Sequence, residues 1–434
     1  MTSETWQTFE ETMTRLGVAG PVAVGVSGGA DSMALLHLLC AWNKSAGNRL
    51  DLTALTVDHG LRAESASEAS AVSAWARDLG IKHCTLTWGG TKPSSNIEAT
   101  AREARYRLIG EWCLENHVQT FLTAHHFDDQ AETFLMRLAR GSGVAGLSAM
   151  AEERSLGGAF GSVRLLRPLL HISKKDLTAL LEDVQQPWLE DPSNEDDAFT
   201  RSRLRNMRET FESLGLTAER IVATATRMSE ANVVLERAAD RFWQQAASVS
   251  PYGEVVFDRR ALLEIDADTR RRVLAHALKT VSGANFGPRY ERLLRLEKVV
   301  RDNQTGRGVT LHGCKISDQD GALSIIREVG RDDVPVQARG EEGLWDGRFY
   351  IEWADQTECV IESEGEVRGN MEIRALGVSG LKSLRDRNWA MPEGVPRRDI
   401  LLTLPAAWQG DQLICVPLLG FGPGLFKARF MLFA

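Results

Sequence analysis

Residues 27 to 32, Ser-Gly-Gly-Ala-Asp-Ser, set two hydroxyls and a carboxylate around a pair of glycines. Glycines 28 and 29 let the backbone approach a ligand with no Cβ in the way. The amides of such a turn point outward, with the positive end of the following helix behind them. That combination binds phosphate, so Ser27, Gly28, Gly29, Ala30, Asp31 and Ser32 are the first candidate ligand residues. The chain contains no Gly-x4-Gly-Lys-Ser/Thr run, and no lysine follows the glycines to reach a terminal phosphate. A Walker-type loop is therefore excluded.

Three further stretches carry reactive groups. Asp58-His59-Gly60-Leu61-Arg62 closes an apolar run, and Glu98, Arg102, Arg105 and Tyr106 recur at spacings of three and four that share one helical face. His125-His126-Phe127-Asp128-Asp129-Gln130-Ala131-Glu132 combines two histidines with carboxylates. Adjacent histidines diverge in direction and no HxxxH pair or third histidine completes a zinc site, so these groups are expected to face nucleotide and substrate instead. Asp129 and Glu132, three residues apart at the start of a helix, present both carboxylates on one face.

Alternating strands and helices must position these groups. Val22 to Val26 is a short buried strand that feeds the glycine turn, and the next helix carries Met33, Leu35, Leu36, Leu38 and Leu39. Strands are expected over Leu52 to Val57, Lys82 to Trp88 and Val118 to Ala124, with helices over Glu64 to Leu79 and Asn96 to Asn116. This pattern is α/β, a doubly wound and mostly parallel sheet, which binds ligands at the carboxyl ends of its strands. Residues 141 to 146 spell GxGxxG, but the run follows a helix, whereas a dinucleotide fingerprint needs a strand before it and a helix after. It is expected to be a loop at the mouth of the site.

Beyond the first 215 residues the pattern changes. Ala218 to Val300 is expected to be helical, Gly308 to Gly313 and Gly321 to Ile326 to be strands, and Arg327 to Gly343 to be a polar linker. The expected division is a catalytic domain over 1–215, a mainly helical middle domain with a terminal β-hairpin over 216–330, and a small α+β domain over 340–434. Positive clusters at Arg201, Arg203, Arg205 and Arg208, at Arg289 to Arg301, and at Lys382, Arg385, Arg387, Arg397 and Arg398 could hold nucleic acid despite a net charge of −8. Binding responds to local fields within about 8 Å, not to the total. Six cysteines without a CxxC pair argue against structural zinc, iron-sulfur ligation or a disulfide framework. An acidic start without an apolar h-region, and no long apolar run, point to a cytoplasmic protein with no membrane role.

SGGADS resembles the PP-loop of ATP pyrophosphatases, the adenine nucleotide alpha hydrolase-like enzymes that cut ATP between its α and β phosphates. DHGLR at 58–62, the Glu98 to Tyr106 helix, LTAHHFDDQAET at 122–133, RGSGVAGL at 140–147, RPLL at 167–170 and WLEDPSN at 188–194 follow in the order seen in tRNA(Ile)-lysidine synthetases. The first half of the chain carries this resemblance. It implies ATP and Mg²⁺ as co-substrate and cofactor, and lysine and an isoleucine tRNA with a CAU anticodon as partners. It also implies replacement of the C2 oxygen of the wobble cytidine by lysine through an adenylated intermediate, in a chain that forms a homodimer.

On this resemblance residues 27–32 hold the pyrophosphate end of ATP and Asp31 binds Mg²⁺. Asp58, His59, Arg62, Arg102, Arg105, His125 and His126 serve catalysis or neutralise phosphate, and Asp129 and Glu132 grip lysine. The arginines 201, 203 and 205, with Lys382, Arg385, Arg387, Arg397 and Arg398, meet tRNA. Free lysine has a side-chain pKa of about 10.4, so the carboxylates either hold its α-ammonium or accept a proton during attack. Other readings are a PP-loop tRNA thiolase, a small-molecule amidating synthetase and a non-catalytic nucleotide sensor. The thiolase needs cysteines in the site loops, where none stands. The synthetase leaves the basic C-terminal half unexplained.

Overall fold

Alternate residues of the first strand serve two cores, which is why it is apolar throughout. In the computed structural model Val22 and Val24 face a core with Leu52, Ala54, Leu122 and the helix residues Met33, Leu35, Leu36 and Leu38. Ala23 faces the opposite core with Leu55, Phe121, Leu165, Ile109 and Cys113. The structure describes residues 3–431 except 48, 61–64, 90–96, 158–159, 191–202, 205, 285, 307, 331–334, 339, 341, 355–370 and 391–393. It divides into two units, residues 1–233 and 234–434.

The first unit contains α1 (Ser3–Arg15), β1 (Gly20–Gly25), α2 (Ala30–Ser45), β2 (Leu50–Asp58), α3 (Ser65–Asp78), β3 (Lys82–Thr87) and α4 (Ile97–Glu115). It continues with β4 (Thr120–Leu122), α5 (Phe127–Ala139), α6 (Val144–Leu147), β5 (Glu153–Ser155), β6 (Arg164–Leu166) and α7 (Lys174–Asp183). The sheet order is β3-β2-β1-β4-β6-β5, parallel except for the edge pair β5–β6. From β1 the chain winds outward through β2 and β3, then returns to the other side of β1 at β4. The switch point therefore lies beyond the carboxyl ends of β1 and β4, where the glycine turn and His125-His126 emerge.

β4 is shorter than the expected Val118 to Ala124. His117 takes φ 55° and the Val118 N–H donates to Cys113 O at 2.8 Å, so the start of that run closes α4 rather than joining the sheet. Residues 141–143 link α5 to the single turn α6, which takes up 144–146 of the stretch expected to be a loop, and the Arg137 guanidinium donates to Gly146 O at 2.8 Å and Ala149 O at 2.6 Å. A strand does not precede the glycines.

In the second unit the stretch expected to be helical through Val300 is interrupted. β7 (Ser248–Val249) and β8 (Val255–Asp258) follow the helix Ala218–Ala246 and enter a five-stranded sheet ordered β7-β8-β11-β10-β9. Val255 and Phe257 are fully buried there, an alternation too short to stand out from the surrounding helical pattern. The other strands are β9 (Val309–Leu311), β10 (Cys314–Gln319) and β11 (Ala322–Arg327). Asp320-Gly321, both at positive φ, form the two-residue turn of β10–β11, so the hairpin begins later than expected.

Arg327 opens no linker. It is buried on β11 and donates to Asp346, which also accepts from Arg348 at 2.7 Å. Residues beyond it form two antiparallel sheets around a core with Trp345, Phe349, Ile373 and Trp408. One orders Gln337–Ala338, Met371–Ala375, Pro405–Gln409 and Gln412–Cys415, the other Gly343–Trp345, Phe349–Trp353 and Phe426–Phe430.

Candidate active site

Gly28 takes φ +90°, and a Cβ there would stand 2.5 Å from Leu189 Cδ1 and 2.9 Å from Val72 Cγ2. Both the positive φ and the close approach require glycine. The Leu189 N–H donates to Gly28 O at 2.9 Å, which ties the Trp188-Leu189 segment to the glycine turn. Ser32 Oγ donates to Gly29 O at 2.9 Å and accepts from the Ser27 N–H at 3.2 Å, so the turn is held in shape by its own hydroxyl. Gly29 caps α2 without a side-chain hydrogen bond. The helix N-terminus thus meets the switch point with no side chain of its own across it.

A buried histidine joins the ends of β1 and β4. His126 Nε2 lies 3.5 Å from Asp31 Oδ2 and 3.5 Å from Asp129 Oδ2, and His126 Nδ1 lies 3.6 Å from Asp128 Oδ2. Burial acts to lower its pKa, but Asp31, Asp129 and Asp128 outweigh burial and raise it above the ordinary histidine value. Two of these carboxylates have a further anchor. Asp129 Oδ2 accepts the His126 backbone N–H at 3.0 Å, and Asp128 accepts from the Lys174 N–H at 2.9 Å and from Arg208 at 3.1 Å. Asp129 and Glu132 are both buried on α5, at 8% exposure each.

A raised folded-state pKa has a definite sign. His126 contributes stability in full below its unfolded pKa of about 6.5, and that contribution is lost as pH rises through the higher folded value. The stability difference between the protein and its His126→Gln variant should therefore be largest in mildly acid solution and shrink toward alkaline pH. Denaturant midpoints across pH 5 to 9 check this, and a difference that grows with pH would refute the protonated cluster.

The other expected residues distribute around this centre. Arg105 Nη2 lies 3.2 Å from His59 Nε2, and the His59 ring meets Trp88 edge-on at 5.9 Å. Asp58 accepts the Gly60 N–H at 2.8 Å and so closes its own turn, while His125 Nδ1 lies 2.9 Å from Thr123 Oγ1. Arg102 packs over Tyr106. Arg62, Arg201 and Arg205 lie outside the described residues, as do the side chain of Glu98 and most of the 188–194 motif.

Arg203 is exposed in the first unit. In the second, Lys382 and Arg385 are exposed on the helix Gly377–Asp386, and Arg387 stacks over Phe421 at 5.6 Å. Arg398 is exposed, whereas Arg397 is committed to Glu254 at 2.5 Å.

Asp128 is the functional group that residue typing passed over. It stood in the quoted motif, but the contact to the start of α7 that orients it is long-range. No group of three histidine, cysteine or acidic residues among the described residues forms a ready metal site. The carboxylates converge on His126 rather than on a common point. Asp31, on the first turn of α2 and 31% exposed, suits a Mg²⁺ that arrives with nucleotide phosphates, since this ion takes one or two carboxylates, phosphate oxygens and water.

Residues 2–209 match the PP-loop domain family. The tRNA(Ile)-lysidine synthase of Ruegeria pomeroyi is 35% identical over 411 residues, covering 94% of this chain and 90% of that protein. The chain belongs to the tRNA(Ile)-lysidine synthase family. The Anaplasma marginale synthase is 33% identical over 93% of this chain and 86% of its own length, so the likeness to the lysidine synthases runs through both units. A U34-tRNA thiolase of Methanococcus maripaludis aligns with a TM-score of 0.45 and 21% identity, covering 52% of this chain and 79% of that one. Lysidine synthases are ATP-dependent ligases, and the range matched to the PP-loop domain contains the Ser27 to Ser32 turn. Among the described residues no helix is long and apolar enough to cross a membrane.

Proposed function

We infer that this chain joins L-lysine to C2 of the wobble cytidine of isoleucine tRNA with a CAU anticodon, and releases AMP and pyrophosphate from ATP. The observation that supports this best is likeness to curated lysidine synthases over nine-tenths of the chain, with the PP-loop at the sheet's switch point. The chemistry needs two displacements. A cytosine carbonyl oxygen is a poor leaving group, so the C2 oxygen first attacks the α-phosphorus of ATP. A bond forms between the C2 oxygen and the α-phosphorus, the bond from that phosphorus to the oxygen bridging to the β-phosphate breaks, and pyrophosphate departs. The lysine amine then adds at C2, the C2–O bond breaks, AMP leaves with the electron pair, and nitrogen gives up a proton.

In this scheme the glycine turn and the open N-terminus of α2 receive the phosphates. Mg²⁺, when bound through Asp31 and the phosphates, would offset their charge. His126 holds a proton between Asp31, Asp128 and Asp129 and so fixes the direction of Asp31. It is a positioning residue. Arg105, with its partner His59, supplies positive charge at the end of β2. Asp129 and Glu132 attract the ammonium groups of lysine. All these groups stand in residues 1–215. A cytoplasmic location, where ATP, lysine and tRNA meet, goes with the reaction.

Sulfur delivery is a poorer account. Among the described cysteines, Cys40, Cys113, Cys314 and Cys415 are buried. Burial pushes Cys40 up to about 11 and Cys113 up to about 12, which leaves them as unreactive thiols.

We assign recognition of tRNA shape to residues 216–434, with the catalytic chemistry in 1–215. Exposed Lys382 and Arg385 on one helix are placed to meet backbone phosphate. Replacing both with glutamate should weaken binding of the tRNA transcript and reduce the slope of log affinity against log salt by about 0.9 per lost contact. ATP binding should be unaffected. Binding isotherms between 50 and 200 mM salt test this, and an unaltered slope would remove these residues from the interface.

A further inference from the structure

A second group of cations in the first unit has no carboxylate paired with it among the described residues. The Arg102 and Arg154 guanidiniums lie 5.1 and 5.6 Å from the centroid of the Tyr106 ring. Arg167, at the head of the Arg-Pro-Leu-Leu motif, is 4% exposed. Its Nη1 donates to Ala151 O at 2.6 Å, and its Nε has no hydrogen-bond partner. None of the three forms an ion pair with a described carboxylate, whereas Arg15, Arg164 and Arg208 of the same unit each do.

Burial draws Arg167 down to about 10. The charges of Arg154, Arg102 and Arg137 add to that shift, against an opposing effect of Tyr106. It still carries its charge at neutral pH.

Topology places the group at the functional edge. Arg167 directly follows β6, which runs parallel to β4. Arg154 stands on β5, where the preceding Glu153 pairs with Leu166 at the carboxyl end of β6. Arg102 and Tyr106 lie on the first half of α4, which enters from the carboxyl end of β3. All four residues therefore gather at the same edge of the sheet as the glycine turn. They stand on its β6 side or on the helix that covers that face.

We propose that Arg102, Arg154 and Arg167, arranged around Tyr106, form a second anion site that holds a backbone phosphate of the RNA substrate. The inference rests on the reading of RNA as substrate given above. A buried guanidinium amid like charges is costly unless an anion compensates it. The Tyr106 ring steadies two of the cations, and apart from a long 3.5 Å contact from Arg102 Nη2 to the Tyr106 hydroxyl their N–H groups face outward as donors for an oxyanion. Lysine is the wrong ligand, because its net positive charge at neutral pH is repelled by clustered arginines. ATP already has the glycine turn. A phosphodiester brings negative charge without a compensating cation, and the nucleotides flanking the reacting cytidine must pass this edge.

The test uses the full chain with Arg154→Gln and Arg154→Lys, since Arg154 is exposed on an edge strand and carries little of the core. Binding of the isoleucine tRNA transcript is measured from 50 to 200 mM salt, beside ATP affinity and the lysine KM. For Arg154→Gln, RNA affinity should fall about five- to tenfold and the log–log salt slope should flatten by about 0.9. Lysine at this position should restore most of both, with ATP and lysine parameters unchanged. Unaltered RNA affinity and slope would make the arginines a scaffold for residues 146–152 and overturn the site. A loss confined to ATP affinity, or to the lysine KM, would overturn it in favour of the nucleotide or the lysine carboxylate. Failure of the unmutated chain to bind the transcript at any salt would sink the functional reading itself, and this site with it.

Discussion

Asp31→Asn should lower pyrophosphate release from ATP in the presence of tRNA by about a thousandfold, the scale of losing a preorganised electrostatic group at a reacting phosphate. The substitution keeps the size of the side chain and removes its charge. Asp31 stands on the first turn of α2 and lies 3.5 Å from His126, so the loss reaches both the phosphate end and the proton held by the histidine. Stability should hardly change. Three carboxylates surround one imidazole in this cluster, and deleting one relieves repulsion among them as much as it removes attraction to the ring. Thermal midpoints of the two proteins should agree within a few degrees. A variant that melts much earlier yet keeps its specific activity would show Asp31 to be a structural residue.

Asp129→Asn and Glu132→Gln should each raise the lysine requirement by about tenfold or more, while adenylated tRNA still forms. A charge-assisted hydrogen bond contributes roughly 1.5 to 3 kcal/mol, and 1.4 kcal/mol is a factor of ten. The structure sharpens the choice of variant at Asp129. Its Oδ2 caps α5 by accepting the His126 N–H, and an asparagine oxygen can accept that bond in the same place. Helix and packing therefore persist while one negative charge goes. Single-turnover assays separate the two half-reactions. Normal lysine use by both variants, or failure already at adenylate formation, would assign the pair to helix capping or to the ATP side.

Local chemistry was readable from residue types because it depends on neighbours in the chain. Gly28, Gly29 and Ser32 announce a phosphate turn, and the turn is held by bonds among residues 27 to 32 themselves. The strand–helix alternation that places it is equally local, and the central strand β1 is apolar because it serves a core on each face. Long-range convergence was not readable in the same way. Asp128 acquires its role from the start of α7 and from Arg208, 46 and 80 residues away, and Arg167 meets Arg154 and Arg102 only once the sheet has formed.

Short buried strands were the other blind spot. Val255 to Asp258 offers one alternation between helices, and its partner β11 lies more than sixty residues on. Arg327 looked like the start of a polar linker because its partner, Asp346, comes nineteen residues later. A charge buried in a salt bridge has no signature in composition.

The most direct measurement follows labelled lysine into a CAU isoleucine tRNA transcript with ATP and Mg²⁺, and counts AMP and pyrophosphate beside it. Lysine incorporated into RNA, AMP and pyrophosphate should appear in equal amounts, and none should form with a transcript whose wobble cytidine is replaced by uridine. Release of ADP, or ATP cleavage to AMP with no lysine in the RNA under any condition, would contradict the assignment of this chain as a lysidine-forming ligase.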